Sequence, residues 1–323
     1  MKVLVIGGAG YIGSHAARVL RKHGHEVVIF DDLSTGFEFL ANGFEFIRGD
    51  LGDAARVKPV LERVDAVMHF AAYAYVGESV TNPRKYFHNN VESALSLLNT
   101  AVDVGIKAFV FSSTCAVYGI PAKVPITEDT VRQPINPYGV SKLFFEQALE
   151  AYGRAYGLRF AALRYFNAAG ADESGEIGEL HNPETHLIPL ALAATSDKAP
   201  ALQIFGEDYP TPDGTCIRDY IHVNDLAEAH ALALGRLVNG SESFAVNLGT
   251  GQGCSVLEIV RSAEQVTGKS VRRVMGPRRP GDPPSLVADP TRAQHLLHWK
   301  ARYSLDDIVS TAWKWAQRAP RRG

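Results

Sequence analysis

Short apolar runs alternate with helically spaced apolar stripes along the first half of the chain. The runs Val3–Ile6, Val27–Phe30, Phe44–Ile47, Ala66–Phe70, Phe109–Ser112 and Phe160–Leu163 show little polar alternation, as strands covered on both faces should. Between the first two, Ile12, Ala16, Val19 and Leu20 recur at helical spacing, and Gly24 follows as a helix stop. Val91, Ala94, Leu95 and Leu98 form a second stripe, read as core, and a third helix is expected from Pro137 to about Tyr156. Such alternation predicts parallel strands joined by right-handed crossovers. The expected class is α/β, with a Rossmann-like doubly wound parallel sheet.

After Asn167 the pattern breaks up. Loop-rich stretches at Ala171–Pro183, Gly206–Thr215 and Gly276–Pro284 separate helices expected at Asp225–Leu237, Val256–Thr267 and Leu305–Gln317. The chain is therefore divided into a dinucleotide-binding domain at 1–167 and a smaller α/β substrate lobe at 168–323. The lobe donates loops to a shared cleft, with some chain crossing between the two.

A length of 323 residues, 46% of them apolar, suits this division and permits a sizeable core. The formal net charge of −2 provides no overall field for nucleic acid or an anionic membrane. Arg272, Arg273, Arg278 and Arg279 form a basic patch without interleaved aromatics, which reads as a phosphate clamp plus solvated arginines. Cys115, Cys216 and Cys254 form no C-x-x-C pair, so reduced thiols in a cytoplasmic protein are expected; Cys115 reads as a small core residue. The N-terminal apolar run is too short for a signal sequence, and no run approaches membrane-spanning length.

Gly7, Gly10 and Gly13 follow the first strand and open the first helix. Glycines there let the backbone turn tightly and approach a pyrophosphate, whose charge meets the helix N-terminus. Asp31 ends the second strand, 18 residues beyond Gly13, where an acid accepts hydrogen bonds from the adenosine ribose. Asp31 and Asp32 together repel a 2′-phosphate, which favours NAD over NADP. Asp50 and Leu51 follow the third strand, where an adenine edge fits. His69, Phe70, Ala71 and Ala72 close the fourth, at the carboxyl ends where cofactors bind.

Asn136 is placed to cap a helix that starts at Pro137, which sets Tyr138 and Lys142 at i and i+4 on one face. A free phenol, with pKa ~10, is only about one part in a thousand ionised at pH 7. Closing the gap takes about 4 kcal/mol, which a nearby ammonium and an oxidised nicotinamide ring are expected to supply. Such a tyrosine takes a proton from a sugar hydroxyl as hydride leaves the same carbon. His181, Glu184 and His186 also suggest a metal cluster. With Pro183 between them, and no metal needed for redox on NAD, they read as a polar loop near the nucleotide, and no metal is expected.

Across essentially all of its length the chain resembles the extended short-chain dehydrogenase/reductases, and among them the UDP-glucose 4-epimerase family. The resemblance rests on Gly7–Gly13, Phe111–Thr114, Val117–Gly119, Asn136–Lys142, Arg164–Asn167, Arg218–Val223, Asn247–Gly251 and the Arg278-Arg279-Pro280-Gly281-Asp282 stretch. It implies reversible C4 epimerisation of UDP-glucose and UDP-galactose in galactose metabolism, with tightly bound NAD and a 4-keto sugar that turns over within the site. It makes the two parts an NAD-binding domain and a UDP-sugar-binding lobe.

The same resemblance implies roles for individual residues. Tyr138 is the base, Lys142 holds the nicotinamide ribose, and Thr114 hydrogen-bonds the reacting oxygen. Tyr11, Ile12, Ser34, Thr35, Asn89, Ser112 and Tyr165 join the cofactor site. Asn167, Arg218 and Arg279 grip the diphosphate, Asp282 the uridine ribose, and His186 and Leu187 the uracil. Leu286 stands beside the sugar's 2-substituent, where it is smaller than the tyrosine that bars N-acetyl groups in relatives. N-acetylated UDP-hexosamines are thus expected as additional substrates. Many relatives carry a lysine where this chain has Ala74, so looser NAD retention is expected. A homodimer built from helices near Val91–Val104 and Ser141–Tyr156 is implied.

Cys115, Ala116 and Val117 follow Thr114 without an acid, which argues against relatives that eliminate water or carboxylate. The alternatives are a UDP-pentose or UDP-uronate 4-epimerase and, as a different class, a non-catalytic NAD-sensing regulator. Such regulators tend to lose the tyrosine and lysine kept here.

Overall fold

Each of the six apolar runs forms a strand, with ends within two residues of those expected: β1 (Lys2–Ile6), β2 (Glu26–Asp31), β3 (Glu45–Arg48), β4 (Ala66–His69), β5 (Ala108–Thr114) and β6 (Arg159–Tyr165). These elements come from a computed structural model that describes residues 1–279 and 281–320; Pro280 of the arginine-rich stretch lies outside them. The strands pair in parallel in the order β3-β2-β1-β4-β5-β6. The order reverses at the β1/β4 junction, so a crevice opens there at the carboxyl ends.

The strands are apolar throughout because both faces are covered. Val3, Val5, Ile29, Met68 and Val110 meet Ala17 and Leu20 on one side. Leu4, Ile6, Val28, Val67 and Phe109 meet Leu97, Leu98, Phe145 and Leu149 on the other. Helix α1 (Tyr11–Lys22) lies on the first side. On the second lie α2 (Ala54–Leu61), α5 (Ala94–Asp103) and α6 (Pro137–Tyr156), with α3 (Val76–Thr81) and α4 (Pro83–Phe87) leading into α5.

Short strands β7 (Asn167–Ala169), β8 (Leu202–Phe205), β9 (Ile217–Arg218) and β10 (Tyr220–His222) follow, with α7 (Leu187–Ala193) between β7 and β8. Then α8 (Val223–Val238) and β11 (Phe244–Leu248) return to the main sheet. Leu226, Ala229 and Leu237 of α8 pack with Ala17 and Leu20 of α1, and β11 adds a seventh parallel strand beside β6. No strand was expected there, because Asn247 breaks an already short apolar run.

The rest of the chain comprises β12 (Cys254–Ser255), α9 (Val256–Thr267), β13 (Arg273–Gly276), β14 (Ser285–Leu286), α10 (Thr291–Leu297) and α11 (Leu305–Ala316). Ile188, Leu192, Ile204, Ile259, Val260, Ile308 and Val309 form a separate core from α7, β8, α9 and α11. Among the described residues, no helix is long and apolar enough to cross a membrane.

A buried ion pair locks α6 to β6. Arg164 Nη2 lies 2.7 Å from Glu146 Oε2, Arg164 Nε donates to Glu146 Oε1 at 2.9 Å, and Ser113 Oγ donates to the same oxygen at 2.5 Å. Arg164 Nη1 donates to the Tyr118 hydroxyl (2.9 Å), which donates to Asn247 Oδ1 (2.7 Å). Charges buried this deeply are tolerated only when paired and hydrogen-bonded, so the network fixes α6 against β5, β6 and β11 in one arrangement.

Candidate active site

The glycine loop is built as the spacing requires. Gly7 has φ +79°, and a Cβ there would come within 2.5 Å of the Ala71 nitrogen. A Cβ on Gly13 would sit 2.2 Å from the Gly7 carbonyl oxygen. Gly10 starts α1 without a side-chain cap, so the first-turn N–H groups are left for an external acceptor. Tyr11 and Ile12 form that turn, and the Tyr11 hydroxyl donates to the Gly170 carbonyl at 2.6 Å.

Asp31 is buried at the end of β2 and accepts from Ala9 N (3.0 Å) and Leu33 N (2.9 Å). It thereby holds the glycine loop as well as its own turn. Burial pushes its carboxyl up, against those two hydrogen bonds. Asp32 accepts from Ser34 N at 2.8 Å, with Thr35 next in the turn, and Asp50 accepts from Gly52 N at 2.7 Å. Leu51 is buried in the core with Phe30. Phe70, Ala71 and Ala72 follow β4, and Phe70 N and Ala71 N both donate to the Ile6 carbonyl at 2.8 and 3.2 Å. His69 turns away into Phe109, Phe111 and Phe145, and burial lowers its pKa to about 3. Ala74 is exposed.

At the other end of the crevice, Asn136 caps α6 by accepting from Gly139 N at 2.9 Å. Tyr138 and Lys142 are 8% and 4% exposed. The Lys142 ammonium donates to the Ser112 carbonyl at 2.7 Å and lies 4.8 Å from the centre of the Phe111 ring. Burial lowers its pKa to about 7, with the Glu146 charge opposing. Burial first, and Tyr165 second, hold the Tyr138 phenol well above its ordinary value, while a hydrogen bond with Thr114 works the other way. The Ser112 hydroxyl meets the Tyr165 hydroxyl at 2.5 Å.

Asn89 donates to Asn90 Oδ1 at 3.0 Å. Asn90, which the sequence reading missed, holds Tyr73 N (2.9 Å), Tyr73 O (3.0 Å) and Ser141 Oγ (3.2 Å). Ser141 in turn donates to the Tyr138 carbonyl at 2.7 Å. A buried asparagine with several backbone partners thus steadies the first turn of α6.

On the substrate side, Thr114 caps the turn Cys115–Tyr118 by accepting from Ala116 N at 3.2 Å. Arg218 lies on β9, opposite Leu286 of β14, and its guanidinium pairs with the Asp282 carboxylate. Leu286 packs with Val117, Tyr118, Phe166 and Cys115, which brings it against the turn that follows Thr114. Asn167 N donates to the Asp219 carbonyl at 2.9 Å. Asp219, also missed, is fully buried and accepts from Thr250 N (2.8 Å), Gly251 N (3.1 Å) and Ala288 N (3.1 Å). It ties the Arg218 segment to the Asn247–Gly251 loop and to the chain after β14.

The arginine patch divides. Arg278 is engaged by Asp208 (2.7 Å), Arg273 by Glu264 (3.5 Å) and Arg272 by the Ser196 carbonyl (2.5 Å), while Arg279 lies over the Phe205 ring at 4.1 Å. His186 and Leu187 open α7. His186 is drawn together with His181, Glu184 and the buried Glu179.

Residues 3–249 match the NAD dependent epimerase/dehydratase family. The chain is 51% identical to the UDP-glucose 4-epimerase of Lactobacillus helveticus over 99% of this chain and 98% of that protein. The crystal structure of UDP-glucose 4-epimerase from Brucella ovis in complex with NAD superposes with a TM-score of 0.95 at 51% identity, covering 97% of each chain. The UDP-Glc/GlcNAc 4-epimerase from Campylobacter jejuni superposes with a TM-score of 0.86 at 40% identity, covering 98% of this chain and 99% of that one.

The lowered pKa of Lys142 has a signed consequence. Unfolded, the ammonium titrates near 10.5; folded, near 7. Between these values the unfolded chain binds more protons, so this group makes stability rise with pH. The cost of burying the ammonium is full below about pH 7 and fades toward pH 10.5. In nucleotide-free protein, Lys142→Met should therefore gain melting temperature relative to wild type at pH 7, and the gain should shrink by pH 9.5. A difference that is flat across melts at these two pH values contradicts the assignment.

Proposed function

Because the chain belongs to the NAD dependent epimerase/dehydratase family, we propose that it inverts C4 of UDP-glucose and UDP-galactose with NAD as a resident catalyst. The observation that carries this is the pair Tyr138 and Lys142, buried together at the carboxyl end of β5 beside Thr114. The chain's own features fit NAD. An uncapped α1 N-terminus suits the diphosphate, and the Asp31–Asp32 pair suits an unphosphorylated ribose. When bound, NAD would supply the hydride acceptor and donor for C4 that the protein's own side chains lack.

The protein's task is to move the O4 proton in step. Tyr138 accepts it as the C4 hydrogen departs and gives it back on the return. The Thr114 hydroxyl steadies the reacting oxygen, and Lys142 holds the ribose next to the ring. Arg218, Arg279 and Asn167 anchor the diphosphate while the 4-keto sugar turns over, because guanidinium groups contact phosphate oxygens bidentately. Asp282 serves the uridine ribose, and His186 and Leu187 the uracil. In this reading residues 1–167 are the NAD-binding domain and 168–323 the UDP-sugar lobe, with α8 and β11 crossing back.

We extend the proposal to a homodimer in the cytoplasm. Phe87, Val140, Phe144 and Tyr156 are large apolar residues left exposed on α4 and α6, which suits a contact between copies. Free Cys115, Cys216 and Cys254 suit a reducing compartment.

Tyr138→Phe should keep NAD and UDP-sugar yet lose turnover by at least about 10²-fold, the low end for a general acid–base group. A variant as active as wild type removes Tyr138 from the mechanism. Substrate width is read at Leu286. Wild type should epimerise UDP-N-acetylglucosamine beside the plain hexoses, and Leu286→Tyr should depress the acetamido reaction much more than the hexose one. Pocket differences of this size are worth ~1–3 kcal/mol, so preference rather than exclusion is expected. Equal losses on both substrates would make Leu286 a packing element of the Cys115–Tyr118 turn.

A further inference from the structure

We propose that Glu179, His181, Glu184 and His186 form a site for a zinc-type divalent cation, which clips together the loop that leads into α7. Four side chains from one short segment present ligand atoms that all lie within 4.8 Å of one another. His181 Nδ1 is 3.1 Å from Glu179 Oε1 and 3.6 Å from Glu184 Oε1; His186 Nδ1 is 3.8 Å from Glu184 Oε1 and in contact with Glu179 Oε1. Tetrahedral zinc with bonds of 2.0–2.1 Å separates its ligands by about 3.4 Å, in the middle of this range.

Hydrogen bonding and charge pairing hold part of this cluster, with His186 Nδ1 in contact with Glu179 Oε1. His181 Nδ1 is buried and, although close to Glu179, makes no aligned hydrogen bond. A buried ring nitrogen close to two carboxylate oxygens, and short of an aligned hydrogen bond to either, leaves room for a cation shared between them. Two imidazole nitrogens and two carboxylate oxygens suit zinc and its first-row neighbours. Calcium and magnesium demand more oxygen ligands. Two carboxylates also neutralise a divalent charge.

The loop is held from both sides, so the donors are preorganised. Trp315 Nε1 donates to the Glu179 carbonyl at 2.7 Å, and the Tyr75 hydroxyl donates to the Pro183 carbonyl at 3.2 Å. The His181 ring stands edge-on to Tyr11 and Tyr75, at 6.4 and 5.9 Å. Glu179, Glu184 and His181 side chains are 5%, 14% and 19% exposed, and His186 faces solvent at 45%. A cation there is sequestered by three ligands and reached past the fourth. Pro183, which made a cluster look unfavourable from the sequence, sits in the bend that turns Glu184 and His186 back toward Glu179. The site shares His186 with the uracil reading given above, and its four donors are read from geometry alone. Its role is to fix the entry to α7, where His186 and Leu187 lie.

Metal-stripped full-length protein titrated with Zn²⁺ by calorimetry, with metal content measured after desalting, tests this. The expected result is one Zn²⁺ per chain and a higher melting temperature with Zn²⁺ than without. Glu184→Gln and His181→Ala should each weaken binding by at least about tenfold, since each removes one ligand of four. Glu184→Gln preserves side-chain size, so it separates ligand loss from misfolding, and unchanged NAD content confirms its fold. Substoichiometric uptake by wild type, or uptake that survives both substitutions, overturns the proposal.

Discussion

The structure depends on one unfavourable placement: a phenol and an ammonium, both meant to exchange charge, are buried at the carboxyl end of β5. Burial disfavours the ionised form of each. It holds the Tyr138 phenol above its ordinary value and brings Lys142 down to about 7. A phenol placed this way stays neutral until something positive and well placed arrives. The surrounding residues make the placement tolerable. The Ser112 carbonyl takes the Lys142 ammonium, Ser141 and Asn90 hold the first turn of α6, and Glu146 with Arg164 clamps that helix against β6.

The same clamp joins the two ends of the crevice. From Arg164 it runs through Tyr118 to Asn247 on β11. Tyr118 closes the turn that starts at Thr114 and packs with Leu286. Leu286 pairs with Arg218, and Asp219 binds that segment to the loop after β11. A change in β9 or β14 is therefore felt at the turn that follows Thr114 through direct contacts.

Much of this was legible in the sequence, where local chemistry sets the structure. Strands covered on both faces must be apolar, which located β1 to β6. Glycines at 7 and 13 have no room for a Cβ, and Asn136-Pro137 announces a helix start. Long-range partners were not legible. Asn90, Glu146 and Asp219 are polar residues whose meaning lies in what they meet far along the chain. Nothing in their immediate neighbours marks them as buried. The i and i+4 spacing places Tyr138 and Lys142 on one face of α6, and a backbone carbonyl on β5 decides where the ammonium points.

The central claim is that Tyr138 is kept neutral by burial and is readied for proton transfer by positive charge brought next to it. Ultraviolet difference titration of wild type against Tyr138→Phe isolates this phenol. It should be run on protein carrying NAD⁺ and on the same protein after reduction to NADH. The account predicts ionisation at a clearly lower pH in the oxidised form, with a shift upward once the ring charge is removed. An identical titration in both forms, at or above pH ~10, would contradict it.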